Sequence, residues 1–254
     1  MSIVMNAARV VAACTLLVQI SVAAASEKRE SNMHLELGAV WQERNKVQIP
    51  NDQRGDKLSL KNIAGSGPWA AARVEVSTQV TGSHGVRFIY APLSYDESGR
   101  LPKSTRFAGA TYAPDRPVNA EYTFDSWRLG YRYHLYAEPD WDFWVGATLN
   151  VRDAKVELRQ GETNSQDDDI GVIPLLYLAG EYRFGERLSL TADLEGLAGG
   201  PGRVIDLGVR LNYELSEDWQ AGLGYRMLEG GADTDDVYNF AWFHALVFAV
   251  DYRF

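Results

Sequence analysis

The chain has 254 residues, of which 46% are hydrophobic and 23% are charged, and its formal net charge is −9 at pH 7. This length is ample for a closed core. With 34 acidic residues against 25 basic ones, the chain lacks the basic footprint of a nucleic-acid-binding protein. The mixed charge and the 11% aromatic content argue against wholesale disorder.

The first predicted element is an apolar stretch near the amino terminus. Arg9 precedes the apolar residues 10–22, and residues 23–25 are three alanines. This order of a basic residue, an apolar run and small residues predicts a signal peptide over residues 1–25, cleaved after its last alanine. The alternative is a membrane anchor, but the apolar run is short for a spanning helix.

The one cysteine of the chain, Cys14, lies within the predicted signal peptide. Residues 26–254 are therefore expected to contain no disulfide, no thiolate metal site and no cysteine nucleophile. No run in this part approaches 18 uninterrupted apolar residues, so no spanning helix is predicted. We predict that residues 26–254 form a single domain.

Alternation of apolar and polar residues with a period of two runs through this domain, whereas helical spacing is rare. In residues 205–213, for example, every second residue is apolar and most of the residues between them are polar. Ten such segments are predicted as strands: 34–42, 69–80, 86–93, 118–135, 142–158, 171–184, 188–197, 204–214, 219–228 and 239–254.

The connections between these segments alternate strictly in length. The long connections are 43–68, 94–117, 159–170, 198–203 and 229–238, and the short ones are 81–85, 136–141, 185–187 and 215–218. An even number of strands with alternating short turns and long loops is typical of transmembrane β-barrels, in which closure leaves no backbone group facing lipid. The sequence therefore predicts an all-β fold, an antiparallel up-and-down transmembrane barrel of about ten strands.

Two local features depart from this regular pattern. Residues 57–63, within the first long connection, are predicted as a short extra strand or a helical turn. The alternation changes phase between Phe124 and Trp127, which we interpret as a β-bulge. The sequence leaves open the roles of the loops 43–68, 94–117 and 229–238.

Aromatic residues gather near the predicted strand ends, where the interfacial girdles of a membrane barrel lie. Near the short turns they are Tyr133, Phe143, Tyr182, Phe184, Tyr213, Trp219, Tyr252 and Phe254, and near the long loops they are Trp41, Tyr90, Tyr122, Tyr225, Phe240 and Trp242. A soluble barrel such as a lipocalin would show similar alternation with its aromatic face turned inward. The period alone leaves both arrangements open.

The last predicted strand favours the membrane barrel. Leu246, Phe248, Val250, Tyr252 and Phe254 alternate along it. This pattern resembles the terminal strand of Gram-negative outer-membrane β-barrel proteins, in which it is the signal for the barrel-assembly machinery. The resemblance implies an outer-membrane location, contact with outer-membrane lipid and lipopolysaccharide, and periplasmic placement of both ends of the mature chain.

Charged residues of both signs occupy the polar faces of neighbouring predicted strands. We predict a lumen network formed by Arg128, Arg132, Arg152, Glu181, Asp193, Glu195, Asp206, Arg210 and Arg226. Because a ten-strand barrel is narrow, such side chains should fill it as an ion-paired, hydrated network. The predicted function is a structural or interaction role with a largely plugged lumen; the alternatives are a narrow channel for small solutes and a lipid-modifying enzyme.

Catalytic patterns of small outer-membrane barrels are not found. Lipid A deacylases use a His-x-Ser pairing on one strand, and neither His34, His84, His134 nor His244 has a serine two residues later. Omptin-like proteases need acid pairs and a histidine near the outer rim, and no histidine is predicted at that level. We therefore predict no enzymatic activity.

Two acidic clusters lie in the predicted long loops. They are residues 167–169 and the group Asp233, Asp235 and Asp236. Carboxylates crowded on a loop can bind a divalent cation, but neither cluster has the spacing of an EF-hand. We interpret both as solvated charge and predict no metal site and no cofactor, while the oligomeric state stays open.

Overall fold

The computed structural model describes residues 31–254, so the predicted signal peptide over 1–25 lies outside the described residues. Nearly all regular structure in the described part is strand. The elements in chain order are β1 (Ser31–Gln48), β2 (Leu58–Ser59), α1 (Leu60–Ala64), β3 (Trp69–Thr81), β4 (His84–Ala91), β5 (Ser94–Arg100), β6 (Thr105–Phe107), β7 (Ala110–Tyr112), β8 (Pro117–Glu138), β9 (Trp141–Gln160), β10 (Thr163–Arg183), β11 (Leu188–Gly199), β12 (Gly202–Glu214), β13 (Trp219–Asp233) and β14 (Tyr238–Arg253). Residues 31–254 contain no helix long and apolar enough to cross a membrane.

Ten of these strands form a closed antiparallel barrel, as the sequence predicted. The barrel strands are β1, β3, β4 and β8 to β14, each paired with its neighbour, and β5 continues alongside β8 beyond the end of β4. The pairing of β1 with β14 closes the barrel from Asn32↔Arg253 to Gln48↔Tyr238. Ser31 and Phe254 exchange backbone hydrogen bonds at one end of this seam, which we name the terminal end. The opposite end carries the two longest connections, between β1 and β3 and between β4 and β8, and is named the loop end.

The apolar side of the alternation faces outward. Large apolar side chains such as Leu129, Leu176 and Leu223 are 62%, 63% and 69% exposed on the outer surface. The predicted terminal pattern faces the same way, with Leu246, Phe248 and Phe254 exposed. The alternative of a soluble barrel with its apolar face turned inward is therefore wrong.

Most differences from the predicted strands occur at the loop end. Residues 163–170, predicted as part of a loop, belong to β10, and only residues 161–162 connect it to β9. Gly161 allows this tight turn because its φ of 60° lies in the left-handed region. Residues 57–63 contain both predicted alternatives, the short strand β2 followed by the helix α1. At the loop end β10 thus extends well beyond the strand that the sequence predicted.

The predicted β-bulge between Phe124 and Trp127 is wrong. The register of β8 against β9 runs without interruption through this region, and the irregularity of this pair lies between His134 and Tyr136. The alternation changes phase because the apolar side chains of β8 switch faces. Towards the loop end they point inward, as Tyr122 does, whereas Trp127 and later residues are exposed outward. Tyr122, predicted in the outer aromatic girdle, is accordingly buried inside the barrel.

Candidate functional site

A network of buried ion pairs crosses the interior of the barrel. Six carboxylates, five guanidinium groups and one imidazole take part. They belong to Glu36, Glu75, Asp193, Glu195, Asp206 and Asp251, to Arg73, Arg87, Arg128, Arg210 and Arg226, and to His34. Strand alternation turns these side chains inward while their neighbours in sequence face outward.

Arg128 lies at the centre of this network. Its Nη1 is 2.7 Å from Asp206 Oδ2 and also pairs with Glu195, while its Nε donates a hydrogen bond to the Ser126 hydroxyl. Arg128 is 2% exposed and Glu195 is 1% exposed. The second carboxylate oxygen of Glu195 accepts a hydrogen bond of 2.7 Å from Thr148 Oγ1. Each of these buried charges therefore has an ion-pair partner of the opposite sign and a hydrogen bond to a hydroxyl group.

Arg226 joins three further strands. Its Nε is 2.8 Å from Glu36 Oε2, and its Nη1 is 3.1 Å from Asp193 Oδ2 and 2.8 Å from Asp206 Oδ1. Glu36 in turn accepts from Arg210 and lies 3.1 Å from Nε2 of His34. One guanidinium group thereby links β13 to β1, β11 and β12.

The network includes a side chain from every strand of the barrel. β9 contributes Thr148, and β10 contributes Tyr177, whose ring lies 3.8 Å from the guanidinium carbon of Arg87. β14 contributes Asp251, 2.9 Å from Nδ1 of His34. At this level the lumen therefore contains a layer of polar side chains with members on all ten strands.

The structure brings six of the nine predicted lumen residues together in this network: Arg128, Asp193, Glu195, Asp206, Arg210 and Arg226. The other three lie elsewhere along the interior. Arg132 packs beside Gly85 towards the terminal end, and Glu181 is half-buried on β10. Arg152 lies towards the loop end, 2.5 Å from Asp169.

The predicted set omits Arg73, Glu75, Arg87 and Asp251 of the network, and sequence reasoning missed His34 and Glu36 altogether. The available signal was the alternation of these two polar residues with Leu35 and Leu37 in the first strand. Asp251 occupies the polar face of the last strand in the same way. A search for charged residues flanked on both sides by apolar ones would have found all three.

An apolar core occupies part of the barrel mouth above the network. We name residues 49–68 and 93–116 the plug. Their buried side chains pack against inward-facing residues of β8, β9 and β14. The plug supplies Ile49, Leu58, Leu60, Ile63, Leu93, Tyr95, Leu101, Phe107 and Tyr112, and the barrel supplies Val118, Ala120, Tyr122, Val156, Leu158 and Phe243. Two of the three loops whose roles the sequence left open, 43–68 and 94–117, therefore fold into the mouth.

The two plug segments are joined by Asp56 and Arg106. The Arg106 backbone N–H and its guanidinium group both donate to the Asp56 carboxylate, at 2.8 to 3.1 Å. These side-chain and backbone hydrogen bonds lower the pKa of Asp56 to about 2. Since the folded-state pKa lies below the ordinary value of 3.8, the contribution to stability is present above pH 3.8 and is lost as the pH falls through 2.

We expect acid to loosen the plug. Between pH 4 and pH 2, pepsin cleavage within residues 49–68 should accelerate in the wild-type protein, because protonated Asp56 no longer holds Arg106 as an ion pair. The variant Asp56→Asn should already be cleaved rapidly at pH 4 and gain little on acidification. Asp140→Asn, at the opposite end of the barrel, is the control and should behave like the wild type. An identical pH profile for both variants would contradict this role of Asp56.

Beside the plug, an open cavity of about 580 Å³ lies at the loop end. We name it the vestibule. Its floor is apolar and includes Phe124, Leu228 and Phe243, and its sides are formed by β9 to β13 and by residues 234–237. Small residues at the ends of the strands, including Gly199, Gly202 and Gly230, widen this side of the mouth. The volume is in the range typical of small-molecule sites.

Charged groups line the wall of the vestibule. Asp167, Asp168 and Asp169, one of the predicted acidic clusters, lie on β10 next to Arg152 of β9. Burial, together with the charges of Asp168 and Asp169, raises the pKa of Asp167. Within residues 31–254, no group of three or more acidic, histidine or cysteine side chains has the arrangement of a metal site.

The histidines lie away from this cavity. His84 is next to the connection at the terminal end, and His134 pairs with Asp142 towards the same end. His34 belongs to the ion-pair network, and His244 lies on the outer face beside Trp41.

Comparison with protein families gives a match to "Protein of unknown function, DUF481" over residues 93–228. The matched segment covers more than half of the chain. The chain belongs to the DUF481 family. The segment shared with DUF481 begins in the plug and ends in β13, so it contains Arg128, Glu195, Asp206 and Arg226 of the network and most of the vestibule wall.

Comparison of this DUF481 chain with solved structures gives matches to several outer-membrane proteins. The outer-membrane protease OmpT from Escherichia coli has a TM-score of 0.59 at 9% identity, with 91% of this chain and 99% of OmpT covered. The attachment invasion locus protein Ail of Yersinia pestis has a TM-score of 0.37 at 11% identity, covering 89% and 99%. Neisserial surface protein A has a TM-score of 0.35 at 12% identity, covering 87% and 97%. No curated protein matches. The similarity to OmpT shows that the DUF481 chain has the fold of Gram-negative outer-membrane β-barrels.

Proposed function

We propose that this protein is an outer-membrane binding barrel that takes up a small amphipathic cation in its vestibule. The observation that carries the proposal is a cavity of about 580 Å³, open at the loop end, above a layer of buried ion pairs. The apolar floor suits a hydrocarbon or aromatic group, and burial of such a group would supply most of the affinity.

The charge of the vestibule wall favours a cationic ligand. Asp167 to Asp169 on β10 and Asp236 beyond β13 line the cavity. The cationic residues of the lining are already paired: Arg152 with Asp169, Lys155 with Glu121 and Glu157, and Arg203 with Glu229. The raised pKa of Asp167 reflects burial and crowding of like charges. A bound ammonium or guanidinium group would relieve this crowding and would therefore bind more tightly than an anion of the same size.

The ion-pair network and the positions of the histidines favour binding over transport or catalysis. A channel would require the ion-pair network to separate, and each buried charge left without a partner would be costly. An enzyme of the serine-hydrolase or omptin-like kind would require a histidine beside the vestibule, whereas the four histidines lie in the network, at the terminal end or on the outer face.

We also propose an orientation and outer-face contacts. The loop end would face the cell exterior, and the terminal end would face the periplasm. Arg44 and Arg203 surround Glu229 on the outer face at 2.6 and 2.8 Å, and Arg203 lies over the ring of Phe240. This cluster is suited to phosphate groups of lipopolysaccharide. The pattern from Leu246 to Phe254 would serve as the signal for the barrel-assembly machinery.

The test compares two fluorescent ligands that differ in charge. Dansylcadaverine carries an ammonium group, and a dansylated alkyl carboxylate of equal length carries an anion. We expect saturable binding of the cationic dye to the purified barrel. Leu197→Trp, which fills the vestibule, should weaken this binding by about tenfold or more, and Asp167→Asn should weaken it by about threefold.

The control is Leu190→Trp on the same strand, β11, because Leu190 faces outward. It should bind the cationic dye as the wild type does. Equal affinity for both dyes would contradict the preference for cations. Equal affinity of the Leu197→Trp and Leu190→Trp variants would contradict binding in the vestibule.

A further inference from the structure

The barrel wall has a window between β3 and β4. The ladder between these strands begins at Thr81↔His84 and ends at Val74↔Tyr90. Beyond that point residues 69–73 of β3 are paired with β1, and β5, which follows β4, is paired with β8. No ladder pair joins residues 69–73 to residues 91–100. The wall is therefore open over these residues.

An aromatic contact bounds the window towards the loop end. The Trp69 indole Nε1 donates a 2.9 Å hydrogen bond to Glu97 Oε1, and its ring stacks on Tyr95 with centroids 4.2 Å apart. On the other side the paired residues Val74 and Tyr90 form the boundary. The window is thus a bounded opening with structure above and below it, and not a frayed strand end.

A second cavity, of about 80 Å³, lies directly behind the window. Small residues surround the opening: Ala71 and Ala72 on one side, and Ala91 and Pro92 on the other. The interior is lined mainly by apolar side chains, namely Val40, Leu93, Phe124, Leu228, Phe243 and Val247. Its floor is the ion-pair network, which contributes Glu36, Arg73, Arg128, Asp206 and Arg226. The cavity is therefore an apolar chamber with a charged base.

The window lies at the level of the aromatic girdle. Tyr90, at its boundary, stacks on the outward-facing Trp127 with centroids 3.9 Å apart. Aromatic residues in such positions mark the interface between the hydrocarbon and the head groups of a membrane. Irregular backbone at this depth is tolerated where it lines a cavity. The opening would therefore face the hydrocarbon boundary of one leaflet.

We propose that this window admits the end of a single acyl chain from an amphiphile in the surrounding leaflet, and that the chamber behind it binds that chain end. The chamber is much smaller than a typical small-molecule site, so it suits one chain end and excludes a two-chain lipid body. The polar head would stay at the window, where the edge of β3 that faces away from β1 has backbone groups without a ladder partner. The inference uses the proposed membrane location but does not depend on the vestibule ligand.

The experiment uses the full-length protein reconstituted in phosphatidylcholine vesicles with photoactivatable probes. One probe is a fatty acid with a diazirine at its terminal carbon, and the other is a lysophospholipid with the same chain. We expect cross-links on Val40, Leu93 or Val247, which line the chamber but not the vestibule, identified by mass spectrometry. Labelling by both probes would support a site for any single-chain amphiphile, whereas labelling by the fatty acid alone would support a site for free acids.

Two variants test the location. Ala71→Phe should reduce chamber labelling by about fivefold or more because the larger side chain fills the opening. Ala147→Phe is the matched control, since Ala147 is exposed on the outer face of β9, and it should leave the labelling unchanged. A heat-dependent mobility shift in SDS verifies that each variant is folded. Cross-links confined to outer-face residues such as Leu129, or equal chamber labelling in both variants, would overturn the proposal, whatever the outcome of the dye measurements.

Discussion

Arg128→Ala should destabilise the barrel by about 3–5 kcal/mol, the cost expected when one partner of a buried ion pair is removed. Arg128 pairs with Asp206 and Glu195, and all three side chains are almost fully buried. Loss of the guanidinium group leaves two carboxylates short of positive charge in a site that water barely reaches. Heating in SDS, followed by electrophoresis, should show a transition lowered by roughly 6–20 °C.

The matched control is Arg132→Ala. Arg132 lies four residues, or two periods of the alternation, further along β8 on the same inner face, and it has no ion pair within residues 31–254. Its replacement should change stability by less than about 1 kcal/mol. Equal losses in the two variants would show that positive charge in the lumen matters in general and that the pairing of Arg128 does not.

A double substitution separates the unpaired charge from lost packing. Combining Arg128→Met with Glu195→Gln removes both charges of one pair and keeps much of the side-chain volume. Because residue 195 is then neutral and is no longer a carboxylate short of positive charge, part of the stability lost in Arg128→Ala should return. Additive losses in the double variant would argue that packing around Arg128 causes the effect.

The barrel itself could be predicted from local sequence because its signal is repeated in every strand. In β12, for example, Leu207, Val209 and Leu211 alternate with Gly208 and Arg210, and one period of two residues fixes which side faces outward. The short connections could be predicted for the same reason, since each is marked by the end of an alternating run. Pairing of neighbours in sequence then follows from short turns.

The plug could not be predicted because its contacts are between residues distant in sequence. Tyr112 packs in the core and donates a hydrogen bond to the Leu158 carbonyl of β9. No period marks such a residue as buried. The same distant packing explains why the pattern of β8 was misinterpreted as a bulge. Tyr122 and Phe124 face inward and contribute to the apolar core under the plug. The change of phase therefore marks the boundary between this apolar core and the polar interior of the network.

The network could be predicted in composition but not in pairing. Alternation places Arg128 and Asp206 on inner faces, yet their contact depends on the radius and stagger of the closed barrel. Arg152 illustrates the limit. It faces inward like Arg128, but it lies two ladder steps nearer the loop end and pairs with Asp169 in the vestibule. Strand alternation gives the face of a residue, whereas its height in the barrel decides which partner it meets.

Gly38→Val should prevent normal closure of the barrel. Gly38 lies on β1 opposite Val247 of β14, within the seam that joins the first and last strands. A Cβ atom at this position would overlap the carbonyl oxygen of Leu246 and lie 2.9 Å from the Val247 Cα, both of which are backbone atoms. Neither can move away without separating the two strands.

The expected result is loss of most of the heat-modifiable, SDS-resistant form from the membrane fraction. Each backbone group freed at the seam lacks a partner in lipid and costs several kcal/mol. Gly199→Val is the control, because a Cβ atom at Gly199, at the end of β11, has nothing within 4 Å. That variant should assemble as the wild type does. If Gly38→Val also assembled normally, the seam would have to tolerate a wider separation of β1 and β14 than their unbroken register from Asn32 to Gln42 implies.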